Sequence, residues 1–271
     1  MTHEETPEIL YKYRDLDSFD RITNLLLKGE LFFSSAKTFN DPFDTAITYD
    51  FSSVEKPIAE EWMNIATDRH MPTESREVKN HYIRNRLIEI RTPGYAERFK
   101  EGLIENQYNK FGVCSLASTK ENILMWAHYA SMHSGICVGL SVPNLEEFMD
   151  QMAKKRILID LMTIRYSETL PKVDFFRAMI EMDTPSDFYE LVGVKSSHWS
   201  YEQEYRLVYS EKTNIPVEFG PRAIAQLVFG CRIDPKNKEQ ILKLCRTHLS
   251  HIQLFQAQKN LNNFSLDLIP I

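Results

Sequence analysis

The stretch Trp199-Ser200-Tyr201-Glu202-Gln203-Glu204-Tyr205-Arg206-Leu207-Val208 decides how the fold is interpreted. It runs into the apolar residues Leu207–Tyr209, which favour a β-strand. Alternate side chains of a strand point to the same face, so the pattern predicts that Glu202, Glu204 and Arg206 lie together. Such a row of charges lies either on a solvated sheet edge or in a polar cleft. The second arrangement would indicate an enzyme.

The composition is that of a protein with a full hydrophobic core. The chain has 271 residues, of which 43% are hydrophobic and 26% charged, and its net charge is -6. An acidic balance argues against general nucleic-acid binding through a basic surface, although it leaves a local basic patch open. The four cysteines form no C-x-x-C pair, which favours buried free thiols in a reducing cytoplasm. The start of the chain has no signal-peptide pattern, and no apolar run approaches the ~20 residues of a membrane span, so we expect a cytoplasmic protein without a membrane partner.

The hydrophobic pattern predicts one α+β domain over residues 1–271, with a mixed, mainly antiparallel sheet and flanking helices. It opens as strand, helix, strand, with Ser18 as the helix N-cap and Gly29 just beyond the helix. A helical insertion is expected at about 55–110. The strands are predicted at 9–13, 31–34, 111–116, 136–141, 201–209, 226–230, 252–256 and 264–269, with a strand or a strand pair at 157–166. The other helices are predicted at 121–131 and 144–156, at 172–193 with an interruption near Pro185, and after Asp234.

The helical insertion carries a local excess of positive charge. Between Arg69 and Lys100 there are eight Lys or Arg and four Asp or Glu. A solvated helical face explains this pattern in most proteins. The alternative is a surface over residues 69–100 that contacts a protein or nucleic-acid partner.

Several side chains are candidates for chemistry, each beside a structural alternative. Glu202 and Glu204 could stabilise positive charge that develops at a sugar carbon, or could simply protect a sheet edge. Arg14 could hold a phosphate through two parallel hydrogen bonds, or could be a surface residue. His128 and Tyr129 lie on a predicted helix with Trp126, where a packed histidine is more common than a catalytic one.

A metal site is an alternative that the sequence leaves open. Asp41 and Asp44 could bind an ion together with Glu202 and Glu204, which would indicate a metal-dependent phosphodiesterase or nuclease. However, the Asn-Asp-Pro sequence at 40–42 is typical of a turn and needs no metal. No zinc-binding spacing, phosphate-binding loop or G-x-S-x-G motif occurs. The leading prediction therefore includes no metal, and the carboxylate site stays an alternative.

Four ordered motifs carry a resemblance to a known family. They are Y-K-Y-R at Tyr11–Arg14, F-x-x-x-x-x-F-N-D-P-F-D at Phe33–Asp44, M-W-x-H-Y-A with G-I-C-x-G at Met125–Gly139, and W-x-x-E-x-E-Y-R at Trp199–Arg206. With them the chain resembles a bacterial family catalogued only as a domain of unknown function. That resemblance supplies no activity.

The layout also resembles the ADP-ribosyltransferase-like fold. The resemblance implies that NAD is the substrate, that Arg14 holds its diphosphate or adenosine part, and that Tyr129 and Trp126 flank nicotinamide. It further implies that Glu204 binds the nicotinamide ribose and that Glu202 orients the acceptor nucleophile. His128 and Arg206 complete the expected cofactor contacts. The implied protein is a transferase acting on a protein or nucleic-acid acceptor, and a toxin or antiphage effector is one such role. A non-catalytic binding module is the remaining alternative.

Overall fold

The computed structural model describes residues 6–92, 94–95, 111–180, 192–210 and 212–271. The strands are β1 (Ile9–Arg14), β2 (Glu30–Ser35), β3 (Thr48–Asp50), β4 (Phe111–Ala117), β5 (Ile136–Ser141), β6 (Ile159–Thr163), β7 (Arg165–Ser167), β8 (Lys172–Asp174), β9 (Val194–Ser196), β10 (Glu204–Ser210), β11 (Ile215–Glu218), β12 (Ile224–Phe229), β13 (Gln253–Lys259) and β14 (Leu266–Pro270). The helices are α1 (Phe19–Lys28), α2 (Pro57–His70), α3 (Arg76–Ile90), α4 (Ile123–Tyr129), α5 (Val142–Ala153), α6 (Phe175–Ile180) and α7 (Pro235–His248). The protein is therefore of the predicted α+β class.

The chain divides into two compact units. The first takes in residues 1–38, 110–164 and 198–271, and the second takes in 39–109 and 165–197. The second unit includes the described part of the predicted helical insertion, whose residues 93 and 96–110 lie outside the described residues. That residues 1–271 form a single domain stays a prediction.

A large sheet dominates the first unit. Within the described residues it has ten strands, in the order β11-β2-β4-β1-β5-β12-β13-β14, with β10 paired to β4 and β6 paired to β10. Among the described strands of this sheet, only β12 and β13 pair in parallel, so the predicted mainly antiparallel sheet is confirmed. The parallel pair is connected by α7, because parallel neighbours need a crossover.

Strand β4 is the branch point of this sheet. One edge of β4 pairs with β10 along its whole length, from Ala117 to Phe111. The other edge is shared, since β1 pairs with it at Ala117 and β2 pairs with it at Val113 and Gly112. The strands β1 and β2 therefore diverge, and the middle of β4 faces the gap between them.

The predicted caps form as the sequence indicates. The Ser18 hydroxyl accepts a hydrogen bond from the Arg21 N–H, and Gly29 ends α1 in the left-handed region with φ 62°. A side chain at Gly29 would also collide with the backbone of Gly220. Asp234 caps α7, with Pro235 at the first helical position, where the missing N–H costs nothing.

Two apolar clusters cover parts of the large sheet. One includes Leu26 of α1, Leu145 of α5 and Ile241 of α7, packed with sheet residues such as Leu207. The other is built around Trp126 of α4. The four cysteines have free thiols, as predicted, and Cys231 is the one that is partly exposed.

The second unit contains the helix pair α2–α3 and two short parallel strand pairs, β3–β8 and β7–β9. Helix α3 buries Lys79, Ile83, Leu87 and Ile90, a stripe at helical spacing. The Lys79 ammonium lies 2.9 Å from the Asp68 carboxylate, which compensates the charge of a lysine on the buried face.

Two predicted elements differ from the structure. Residues 172–193 were predicted as a helix, but β8 occupies Lys172–Asp174 before α6 begins, and residues 181–191 lie outside the described residues. The predicted strand 201–209 begins only at Glu204, because Ser197–Glu202 form a 3-10 helix. Among the described residues, no helix combines the length and the apolar character that crossing a bilayer requires.

Candidate functional site

Strand β10 is an interior strand of the large sheet. It pairs with β4 on one side and with β6 on the other, so that Arg206 lies between Ser115 and Met162. Glu204 is 2% exposed and Arg206 is 0% exposed. Of the two arrangements that the sequence left open, the solvated sheet edge is therefore excluded for these charges.

Glu204 and Arg206 form a bidentate ion pair along one face of β10. The Arg206 Nε lies 2.8 Å from Glu204 Oε1, and its Nη2 lies 3.2 Å from Oε2. The spacing of two residues brings both side chains to the same face, as predicted. A buried charge is costly unless it is paired and hydrogen-bonded, so each of these groups compensates the buried charge of the other.

Glu202 reaches this region from a different element than predicted. It is the last residue of the 3-10 helix, and Gln203 turns the chain with φ 46° before β10 starts. The predicted alternation of Glu202 with Glu204 in one strand is therefore wrong, because the chain is not extended at residues 202 and 203. The Glu202 side chain is nevertheless 3% exposed, and its Oε1 accepts a 2.6 Å hydrogen bond from the Tyr129 hydroxyl.

Asn122 connects the helix that carries Tyr129 to the segment that carries Glu202. Its Oδ1 accepts hydrogen bonds from Leu124 N and Met125 N, and this caps α4. Its Nδ2 donates to the Tyr201 carbonyl oxygen at 2.6 Å. Sequence reasoning missed this residue, although an Asn just before an apolar helical pattern is a signal for an N-cap.

A row of partly exposed aromatic rings lies beside Glu202. The His128 ring centroid is 6.3 Å from that of Tyr129 and 6.3 Å from that of Tyr201. The Trp199 ring lies 6.0 Å from Tyr201. Such rings offer π-faces to a planar or cationic ligand. We call His128, Tyr129, Trp199 and Tyr201 the aromatic row.

Trp126 lies beneath this row in the core. Its side chain is 0% exposed, its Nε1 donates to the Lys120 carbonyl oxygen at 2.8 Å, and its ring contacts Tyr13 edge-on at 5.4 Å. The structure therefore places Trp126 as the support of α4, and it leaves Tyr129 as the partly exposed member of the predicted nicotinamide pair.

Arg14 and Glu204 lie on opposite faces of the sheet. Tyr11 and Glu204 both pair with Ala117 of β4, so these three side chains share one face. Arg14 is three positions after Tyr11 in the same strand and therefore points to the other face. The structure pairs Tyr129 with Glu202 and Arg206 with Glu204, and it does not bring Arg14 to the face of Glu204.

Lys12 fills the gap between β1 and β2. Its Nζ donates to the Ser115 carbonyl oxygen at 2.5 Å, in the middle of the β4 edge that neither strand covers. Burial lowers the pKa of Lys12, the neighbouring Arg14 lowers it further, and Glu204 acts in the opposite sense. Sequence reasoning gave Lys12 no role.

The second unit shows what the Asn-Asp-Pro turn does. Asp41 Oδ1 accepts a hydrogen bond from Phe43 N at 2.9 Å, which is turn chemistry of the predicted kind. Asp44 is buried, and its Oδ2 lies 3.5 Å from the Lys195 ammonium. Within the described parts of the chain, no group of three or more His, Cys, Asp or Glu side chains could hold a metal ion.

The family comparison falls on the segment that carries the site. Residues 125–207 match the model of a family described as "Protein of unknown function (DUF2971)". This segment begins in α4 and ends in β10, so it contains Tyr129, Glu202, Glu204 and Arg206. No curated protein matches the chain, and no solved structure matches it. The resemblance to the ADP-ribosyltransferase-like fold stays a prediction.

Proposed function

We propose that this protein is an ADP-ribosyltransferase-like enzyme that uses NAD as a substrate and modifies a protein or nucleic-acid acceptor. One observation supports the proposal most. Buried Glu202 is hydrogen-bonded to Tyr129 in a row of partly exposed aromatic rings, and a second buried carboxylate, Glu204, follows two residues later in the chain. A fold that only needed stability would gain little from burying these charges, since well-packed apolar residues are often as stable.

The aromatic row suits the nicotinamide end of the substrate. Nicotinamide in oxidised NAD is a planar cation, and aromatic faces attract such rings. In this proposal the rings of Tyr129, His128 and Tyr201, which neighbour one another, contact it. Recognition in this proposal depends on stacking and on the nearby negative charge of Glu202.

The carboxylates suit the charge that develops during transfer. As the bond between nicotinamide and ribose breaks, its electron pair leaves with nicotinamide and positive charge builds on the ribose. A fixed negative charge in a site that excludes water stabilises that charge. Glu204 supplies it, and Arg206 holds the carboxylate in one orientation through two hydrogen bonds.

Tyr129 and Glu202 suit the acceptor. The acceptor nucleophile bonds to the ribose carbon and loses a proton. The Tyr129 hydroxyl is hydrogen-bonded to buried Glu202 and is partly exposed, so it can orient that nucleophile and pass its proton to the carboxylate. In this arrangement Glu202 acts through Tyr129.

The test is release of labelled nicotinamide from NAD by the full chain. We expect Glu204→Gln and Glu202→Gln each to reduce release by about 100-fold or more, the typical loss when a charge-stabilising or proton-transfer group is removed. Glu146→Gln, at an exposed position of α5, is the matched control and should leave release unchanged. Equal release by all four proteins, with intact folds by circular dichroism, would contradict the proposal.

A biological role as a cytoplasmic toxin or antiphage effector is part of the same proposal. It predicts that expression of the unmodified protein slows bacterial growth and that expression of the Glu204→Gln variant does not. If both proteins are expressed equally and the cells grow equally, the toxin role is contradicted, but the proposed enzymatic activity is not.

A further inference from the structure

A cleft lies in the first unit where the two parallel strands end. It has a volume of about 620 Å³ and is lined by Cys231, Ile233, Pro235, Lys238, Gln256, Ala257, Gln258 and Lys259. These residues come from the end of β13, the start of α7 and the turn after β12. Ligands of sheets with parallel strands bind outside the carboxyl ends of those strands, and the volume is that of a small-molecule site.

The charged side chains that line this cleft are cations. Lys238 and Lys259 line it, and Arg232 lies between two lining residues in the chain. Among the described residues, none of these three cations forms an ion pair. Like charges gathered without a partner repel one another, and a bound anion removes that cost.

The nearby acids already have partners. Asp234 accepts hydrogen bonds from the N–H groups of Lys236 and Asn237 as the cap of α7. Asp267 accepts from the Asn260 amide at 3.0 and 3.2 Å. Because Asp234 occupies the N-terminus of α7, the helix end is not the anion donor, and the lysines carry that role.

His133 adds a polar atom without a partner to the same region. Its Nδ1 is buried and, in the described part of the chain, has no hydrogen-bond partner. Burial lowers the pKa of its imidazole, and the charges of Arg232 and Lys259 lower it further. The Arg232 N–H donates to the His133 carbonyl oxygen at 3.0 Å, so the turn after β12 is fixed against this residue.

We propose that this cleft binds the phosphate group of a small soluble molecule, with Lys238 and Lys259 as the direct donors and Arg232 as a further cation at the rim. Phosphate offers several acceptor oxygens and at least one negative charge, which the lysines match as point charges. The site is separate from the proposed catalytic groups and does not depend on their function.

The test is calorimetric titration of the full chain with inorganic phosphate, pyrophosphate and ADP at constant ionic strength. We expect saturable binding of at least one of them, and we expect Lys238→Gln and Lys259→Gln each to weaken it roughly tenfold, as the loss of a charge-assisted hydrogen bond implies. Lys243→Gln, at an exposed position of α7, is the control and should change the affinity by less than about twofold.

A second measurement separates site binding from general attraction to the protein. The imidazole NMR signals of His133 should shift on addition of phosphate to the unmodified protein and should shift less in the Lys259→Gln variant. The proposal is overturned if no titrant binds at millimolar concentration, or if all variants bind equally. It is also overturned if only vesicles containing phosphoinositides bind, since the anion would then belong to a membrane.

Discussion

The hydroxyl of Tyr129 donates a 2.6 Å hydrogen bond to the carboxylate of Glu202, which lies 73 residues further along the chain. This bond joins the end of α4 to the segment that leads into β10. It also connects a partly exposed group to a buried charge. The relationship makes Tyr129 the most direct point at which to test the site.

Replacing Tyr129 by Phe should lower both stability and activity. The change removes one donor from a buried carboxylate, so we expect the free energy of unfolding to fall by about 1–3 kcal/mol. At a temperature where the variant remains folded, nicotinamide release should still fall, so the loss of stability does not account for the lower activity. Tyr82→Phe is the control, because Tyr82 is 42% exposed on α3. Unchanged release by Tyr129→Phe would remove the hydroxyl from the proposed mechanism.

The ion pair of Glu204 and Arg206 should show strong coupling in a double-mutant cycle. Each single variant, Glu204→Gln or Arg206→Met, leaves one buried charge without its main partner, which costs about 3–5 kcal/mol. The double variant should lose clearly less than the sum, because neither charge of this pair remains to be left uncompensated. Urea unfolding measures all four proteins.

An exposed ion pair provides the matched control for that cycle. Lys28 and Glu218 lie 3.1 Å apart, with half of each side chain exposed. Their double-mutant cycle should give a coupling below about 1 kcal/mol. If the losses at Glu204 and Arg206 are additive, so that their coupling energy is no larger than that of the exposed pair, the interpretation of the buried ion pair is wrong.

The Asn122→Ala variant tests whether Asn122 only caps α4 or also positions the segment that carries Glu202. Loss of the cap of α4 should lower the free energy of unfolding by about 1 kcal/mol, and Ser18→Ala at the start of α1 should do the same. Only Asn122→Ala should also reduce nicotinamide release, since its amide holds the Tyr201 carbonyl and thereby the Glu202 segment. Thermal unfolding and the release assay, run on both variants, check this. If the two variants lose activity equally, Asn122 has no positioning role.

Tyr11 should make the protein lose stability at high pH. Burial raises the pKa of its hydroxyl from 10.0 to about 12, so the folded state keeps a proton that the unfolded chain releases. The resulting stabilisation is complete below pH 10 and is lost as the pH rises towards 12. Tyr11→Phe should reduce the slope of unfolding free energy against pH in this window. Tyr13, whose pKa burial also raises, contributes a remaining slope.

The sequence predicted the elements whose signals are local. The Ser18 and Gly29 caps and the Asp234-Pro235 helix start appear as predicted, because each depends on the geometry of its own turn. Strand β5 has the predicted bounds, since its apolar run is buried on both faces.

Other features could not be predicted because they depend on distant partners. Glu202 and Glu204 alternate in sequence like strand residues, but the chain turns between them at Gln203, whose φ is 46° and whose carbonyl oxygen accepts a hydrogen bond from Ser118 N. The position of Lys12 follows from the divergence of β1 and β2 along β4, which no local pattern encodes. Pairing register likewise decided that Arg14 and Glu204 point to different faces.

The limits of the family match have a practical consequence. A fragment that spanned residues 125–207 would contain β6 and most of β10 but would lack β4, to which β10 is paired along its length. One edge of β10 would lose its backbone hydrogen bonds to β4, and the face that carries the Glu204–Arg206 ion pair would be exposed to water. We expect such a truncated product to aggregate when it is expressed, so recombinant work on this segment should retain the strands that precede it.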